Sequence, residues 1–181
     1  MRLFNKMRIV KKYQRTPPVR VIAIAKDFGI GVYKMGGAEW QEKDISGLIR
    51  KDPSIDRFEI VVNANHDYPR QRFTVAHEIA HFLLHEEKIG DGITDDVLYR
   101  SGLDTEMETE ANVMAANILM PRHLVDEEII DGTYDIVKLA KKFVVPPSAI
   151  SILLGVPYEG NSSCANRQGS NGYPIETARE S

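Results

Sequence analysis

A chain of 181 residues, 43% hydrophobic and 27% charged, has the balance of a globular protein with a real core, which excludes a fibre or a wholly disordered polymer. The net charge of −3 conceals a polarity: residues 1–72 carry 15 basic and 8 acidic side chains, and residues 73–181 carry 8 and 18. A basic first half can touch nucleic acid and an acidic second half can attract a basic protein, although solvated faces on ordinary helices produce the same counts.

The first twenty residues hold seven Lys or Arg and no acid. Lys11, Lys12, Arg15 and Arg20 interrupt any apolar stretch that a secretion signal needs, so neither a signal peptide nor a membrane span is expected. The single Cys164 has no internal disulfide partner, which suits a reducing compartment; the expected location is cytoplasmic.

Thr16-Pro17-Pro18 reads as a cap with first-turn prolines, and Val19, Ile22, Ala25 and Phe28 recur at helical spacing until Gly29. Gly31 to Met35 reads as a short strand. Ile45 to Arg50 and Arg57 to Asn63 are extended runs joined by the turn residues Asp52-Pro53-Ser54, which predicts a hairpin or meander. From Pro69 to about Glu87 the pattern is helical, capped by Asp67, with Phe73, Ala76, Ala80, Leu83 and Leu84 as apolar positions. Residues 88–104 read as a Gly- and Asp-rich loop. A second long helix runs from about Asp104 to Leu119 and stops before Pro121, and two or three shorter helices follow as far as Leu154. Residues 1–158 are read as one domain, and 159–181, poor in core formers, as a disordered tail.

His77-Glu78-Ile79-Ala80-His81 lies inside the first long helix. Residues four apart share a helix face, so both imidazoles can reach one metal ion. Glu78 falls about 100° round the helix from His77, beside the metal without being a ligand, where a carboxylate can take the proton of a water sharing the site. Two core histidines with no metal are the competing reading, but they leave Glu78 as a costly charge on a largely buried helix. Catalytic zinc takes three protein ligands. A longer metzincin pattern fails, because Leu84 and Glu87 stand where Gly and His are required. His85 lies about 12 Å along the helix from His77 and is read as exposed polar surface. On the second long helix the apolar face is Met107, Ala111, Met114, Ala115, Ile118 and Leu119. Glu108 falls at the margin of that face, whereas Glu106 and Glu110 point away, so Glu108 is the third-ligand candidate. Solvation of all three acids remains the alternative.

Arg72 to His81, followed by Glu108-Thr109-Glu110-Ala111-Asn112 and on to Met120-Pro121, resembles the ImmA/IrrE family of metallopeptidases. The strand ending Ile60-Val61-Val62-Asn63 and the segment Leu139 to Ile150 fit as well, and the resemblance covers about 16–155. It implies an α+β fold with a small antiparallel or mixed sheet on a zincin-type active-site helix, followed by a C-terminal helical bundle over 121–156. It implies one zinc ion per chain in a gluzincin-like site, with Glu108, four residues before Asn112, as third ligand. It further implies, as in many members, cleavage of a helix-turn-helix transcriptional repressor. Met114 stands where Phe is commoner, which leaves the chemistry untouched.

The run Phe58 to Asn63 precedes the metal helix and is either a sheet edge that pairs with a substrate peptide, through Ile60, Val62 and Asn63, or an inner strand. His66, Tyr68, Tyr99 and Arg100 are candidate donors to the oxyanion, and His66 and Tyr99 candidate substrate contacts. Two other functions fit parts of the sequence. Ile136 to Phe143 and Pro147 to Leu154 have helix-turn-helix dimensions, yet the second segment offers no Arg, Lys, Asn or Gln to read bases, so direct nucleic-acid recognition is not expected. A regulator or toxin–antitoxin component that works mainly by binding its partner is the other.

Overall fold

The structure is a computed structural model that describes residues 2–38, 40, 45–52, 54–89, 104–129 and 134–156. Among these lie eight helices and three strands: α1 (Leu3–Tyr13), α2 (Val21–Asp27), β1 (Gly31–Met35), β2 (Gly47–Asp52), β3 (Arg57–Asn63), α3 (Tyr68–Leu84), α4 (Glu86–Ile89), α5 (Asp104–Leu119), α6 (Arg122–Asp126), α7 (Ile136–Phe143) and α8 (Pro147–Leu154). The loop read over 88–104 and the tail read over 159–181 fall largely or wholly outside the described residues, as do Tyr99, Arg100 and Cys164.

The sheet is mixed, in the order β1-β3-β2. β1 runs parallel to β3 from Gly31↔Glu59 to Met35↔Asn63, and β2 runs antiparallel to it from Gly47↔Val62 to Asp52↔Arg57. Asp52 closes the β2–β3 turn by accepting from the backbone and hydroxyl of Ser54 at 2.8 and 2.6 Å. β3 is therefore the inner strand, with Ile60, Val61, Val62 and Asn63 all buried. The edge alternative for Phe58 to Asn63 is corrected: its backbone hydrogen bonds are taken on both sides, so Ile60 and Val62 have none to offer a peptide.

The helix α3 starts where local chemistry dictates, with Asp67 accepting from the Arg70 amide at 2.9 Å and Pro69 in the first turn. It buries Val75, Ala76, Ile79, Ala80 and Leu83 against the sheet and, most extensively, against α5, which contributes Ala111, Ala115, Ile118 and Leu119. These residues join one core cluster with Ile24, Ile60, Val62, Phe143 and Ile150.

Two buried cations tie distant segments to α3. Arg72 donates to the Val19 carbonyl at 2.7 Å and to that of Val144, the left-handed residue closing α7, at 3.0 Å. Lys6 on α1 donates to the Phe82 carbonyl at 2.6 Å and to Glu86 at 2.8 Å, and lies 4.1 Å from the Phe82 ring centroid. A cation at the C-terminal end of α3 meets both the unsatisfied carbonyls and the negative end of the helix dipole. The cap expected at Thr16-Pro17-Pro18 is corrected: these residues form a bend after the helix Leu3–Tyr13, and α2 starts only at Val21.

The hairpin α7–α8 has the anticipated boundaries, with Asp135 capping α7 through the amides of Val137 and Lys138. Its second helix sinks Ala149 and Ile150 completely and packs on α7 and α5. Among the described residues no helix is long and apolar enough to cross a membrane.

Candidate metal centre

His77 and His81 stand one turn apart on the face of α3 that meets α5, and Glu108 enters from α5. His77 Nε2 and His81 Nε2 are 2.9 Å apart, and each lies 3.1 Å from one oxygen of the Glu108 carboxylate. Among the described residues these three form the one group of potential ligands gathered in this way. Ligands about 2.0–2.2 Å from a tetrahedral ion are separated from one another by about 3.3–3.6 Å, so the 2.9–3.1 Å observed needs only a few tenths of an ångström of opening to admit one.

The donor set itself asks for a cation. Nδ1 of His77 faces the Asn112 side-chain oxygen at 3.1 Å, which places the imidazole proton on Nδ1 and leaves Nε2 as a bare lone pair. In the neutral ring that lone pair is aimed at a Glu108 oxygen 3.1 Å away, and a cation between the two, whether a proton or a metal ion shared by both, removes the conflict. Burial is the largest single influence on Glu108 and resists its ionisation. The hydrogen bonds and charges of His77 and His81 outweigh it and hold the carboxyl far below the usual range. The carboxylate is thus ionised at any neutral pH.

Glu78 follows His77 on α3, is 2% exposed and borders the start of β2 at Gly47. A Cβ added at Gly47 would lie 3.7 Å from Glu78 Oε1, 2.9 Å from the Val61 carbonyl and only 2.4 Å from Thr74 Cγ2. Glycine is what lets the edge strand β2 close on the helix at this carboxylate.

The remaining candidates distribute as follows. His66 and Tyr68 lie at or before the start of α3, nine or more residues ahead of His77, which is about 13 Å along the axis. Asn63 serves its own turn, donating to the Ile45 carbonyl at 2.8 Å and accepting from the Asn65 amide at 2.9 Å. His85 is not exposed surface as expected: its side chain is 9% accessible and its Nε2 lies 3.6 Å from Glu110. The break in α3 at that residue turns it back towards α5, where burial lowers its proton affinity first and the charge of His81 lowers it further. Glu106 is exposed, and Glu110 is half-exposed beside His85. Sequence reasoning missed the roles of Asn112 and Gly47. Both left a signal, since Asn112 lies four residues from Glu108 on the same helix face and a glycine inside a strand marks a close backbone approach.

Residues 25–154 match the M78 peptidase family model described as the IrrE N-terminal-like domain. A stretch of 75 residues is 43% identical to the radiation response metalloprotease IrrE of Deinococcus deserti, covering 38% of this chain and 24% of that protein. A solved Mycobacterium tuberculosis transcriptional regulator superposes with a TM-score of 0.52 at 18% identity, over 85% of this chain and 46% of that one, which speaks to the fold alone. The chain thus spans about a quarter and under half of the lengths of these two proteins.

Proposed function

The chain belongs to the M78 peptidase family of IrrE N-terminal-like domains, and from that membership we propose that it is a zinc-dependent endopeptidase acting on a helix-turn-helix transcriptional repressor. The observation that carries this reading is the convergence of His77 Nε2, His81 Nε2 and both Glu108 oxygens to 2.9–3.1 Å. Two imidazoles and one carboxylate suit zinc and leave a fourth position open. When bound, the ion would polarise the scissile carbonyl and make water acidic.

The chain's own residues carry the rest. Asn112 fixes the ring and tautomer of His77. Glu78, the base, takes a proton as the water oxygen bonds to the carbonyl carbon, and returns it to the amine nitrogen as the C–N bond breaks. We assign an extended substrate segment to the outer edge of β2, which pairs with no further strand among the described residues and whose first residue, Gly47, adjoins Glu78. The choice of a repressor as substrate rests on the likeness of the paired motifs to those of repressor-cleaving members.

The test is co-expression with the helix-turn-helix repressor encoded nearest to this gene, followed by intact-mass analysis. The wild type is expected to yield two fragments whose masses sum to the repressor plus one water, and Glu78→Gln to leave it whole while retaining metal. An uncut repressor held by the wild-type protein would favour a regulator that works by binding its partner.

A further inference from the structure

The opening helix carries charge that the protease chemistry does not use. Of the seven cations in residues 1–20, Lys6 is buried against Glu86 and Lys12 pairs with Asp27, the first acid in the chain. The other five, Arg2, Arg8, Lys11, Arg15 and Arg20, are exposed and make no ion pair among the described residues. Burial sets the orientation of α1: Lys6 and Val10 are turned inward, with Lys6 on the end of α3, while Phe4, Arg8 and Lys11 occupy the opposite face and Arg15 follows just past the helix end. Neighbouring like charges at helical spacing repel, so a row of them without acids is unfavourable until something anionic meets it. The rest of the chain does the reverse, with 18 acids against 8 bases beyond residue 72.

We propose that the outer face of α1 is a docking surface for the phosphodiester backbone of duplex DNA, engaged without regard to base sequence. Two of the three cations on that face, Arg8 and Arg15, are Arg, whose planar fork matches phosphate oxygens better than the point charge of Lys. A membrane surface would require an apolar strip beside the charge, yet Met7, Ile9, Val10 and Tyr13 are wholly or partly covered and only Leu3 and Phe4 stand out, at one end. The contact lies on the side of α1 turned from α3, so DNA binding and the metal centre are independent. Its consequence, which rests on the proposed repressor substrate, is that the protease is held close to targets that are themselves on DNA.

Fluorescence anisotropy with the full chain and a labelled 20-base-pair duplex tests this. The affinity should fall with salt at a slope of about −2.7 to −4.5 in log K against log concentration, as three to five neutralised phosphates require. Arg8→Gln, Lys11→Gln and Arg15→Gln together should weaken binding at least tenfold at low salt, with unchanged melting temperature, because Gln keeps the helix propensity. A duplex of scrambled sequence should compete equally, and Glu78→Gln should bind as the wild type does, so this result stands or falls apart from the proteolysis. Equal binding by wild type and triple variant would overturn the proposal, as would tighter binding to polyglutamate or to phosphatidylserine vesicles.

Discussion

Replacing Gly47 by Ala asks how closely β2 must approach α3. The added carbon would sit 2.4 Å from Thr74 Cγ2 and 2.9 Å from the Val61 carbonyl, whereas carbon atoms rest at about 3.5–4.0 Å. Thr74 does not simply rotate away, because its hydroxyl donates to the Arg70 carbonyl at 3.0 Å and fixes the rotamer. The strand and helix must part by about 1 Å, and overpacking of that kind costs about 1–3 kcal/mol. Glu78, the proposed base, borders the same gap, and a misplacement of about 1 Å in such a group costs about a hundredfold in rate. Denaturant melts, zinc titration and repressor cleavage would be measured for Gly47→Ala, Thr74→Ser and the pair. The expected pattern is lower stability and kcat for Gly47→Ala with zinc affinity kept, and partial recovery in the double variant, where Cγ2 is gone but the Val61 carbonyl remains. Wild-type stability and rate in Gly47→Ala would refute the packing argument.

Three further substitutions probe the metal centre. Glu108→Ala should weaken zinc binding at least tenfold, read by competition with a chromogenic chelator, since one of three protein ligands is lost. Glu110→Ala, which removes a half-exposed group 3.6 Å from His85, should leave that affinity within about twofold. Asn112→Ala should cost about 10–100-fold in zinc affinity by freeing the His77 ring and tautomer, and a shift of the His77 ring nitrogens by NMR would separate this from a general loss of fold.

What could be read from the sequence is what local chemistry decides. Asp67 announces the start of α3, Asp52 and Ser54 the β2–β3 turn, and Asp135 the start of α7, because each side chain bonds to backbone within three residues of itself. The helical phase of Glu108 likewise put its carboxylate on the side where α3 lies, and the structure sets it 3.1 Å from both histidines. What could not be read depends on partners far along the chain. The packing of α1 is one case, because the groups that receive Lys6 are the Phe82 carbonyl and Glu86, 76 and 80 residues away. The inner position of β3 follows from its parallel pairing with β1, which no local pattern encodes. His85 is drawn inward by α5, an element that its own periodicity does not report.

One ion held by three side chains is what anomalous diffraction at the zinc edge from zinc-loaded crystals would read. A single peak per chain is expected, about 2.0–2.2 Å from His77 Nε2, His81 Nε2 and a Glu108 oxygen, with Glu78 near but not bonded. A peak bonded to His85 or Glu110, or no peak between α3 and α5, would contradict it.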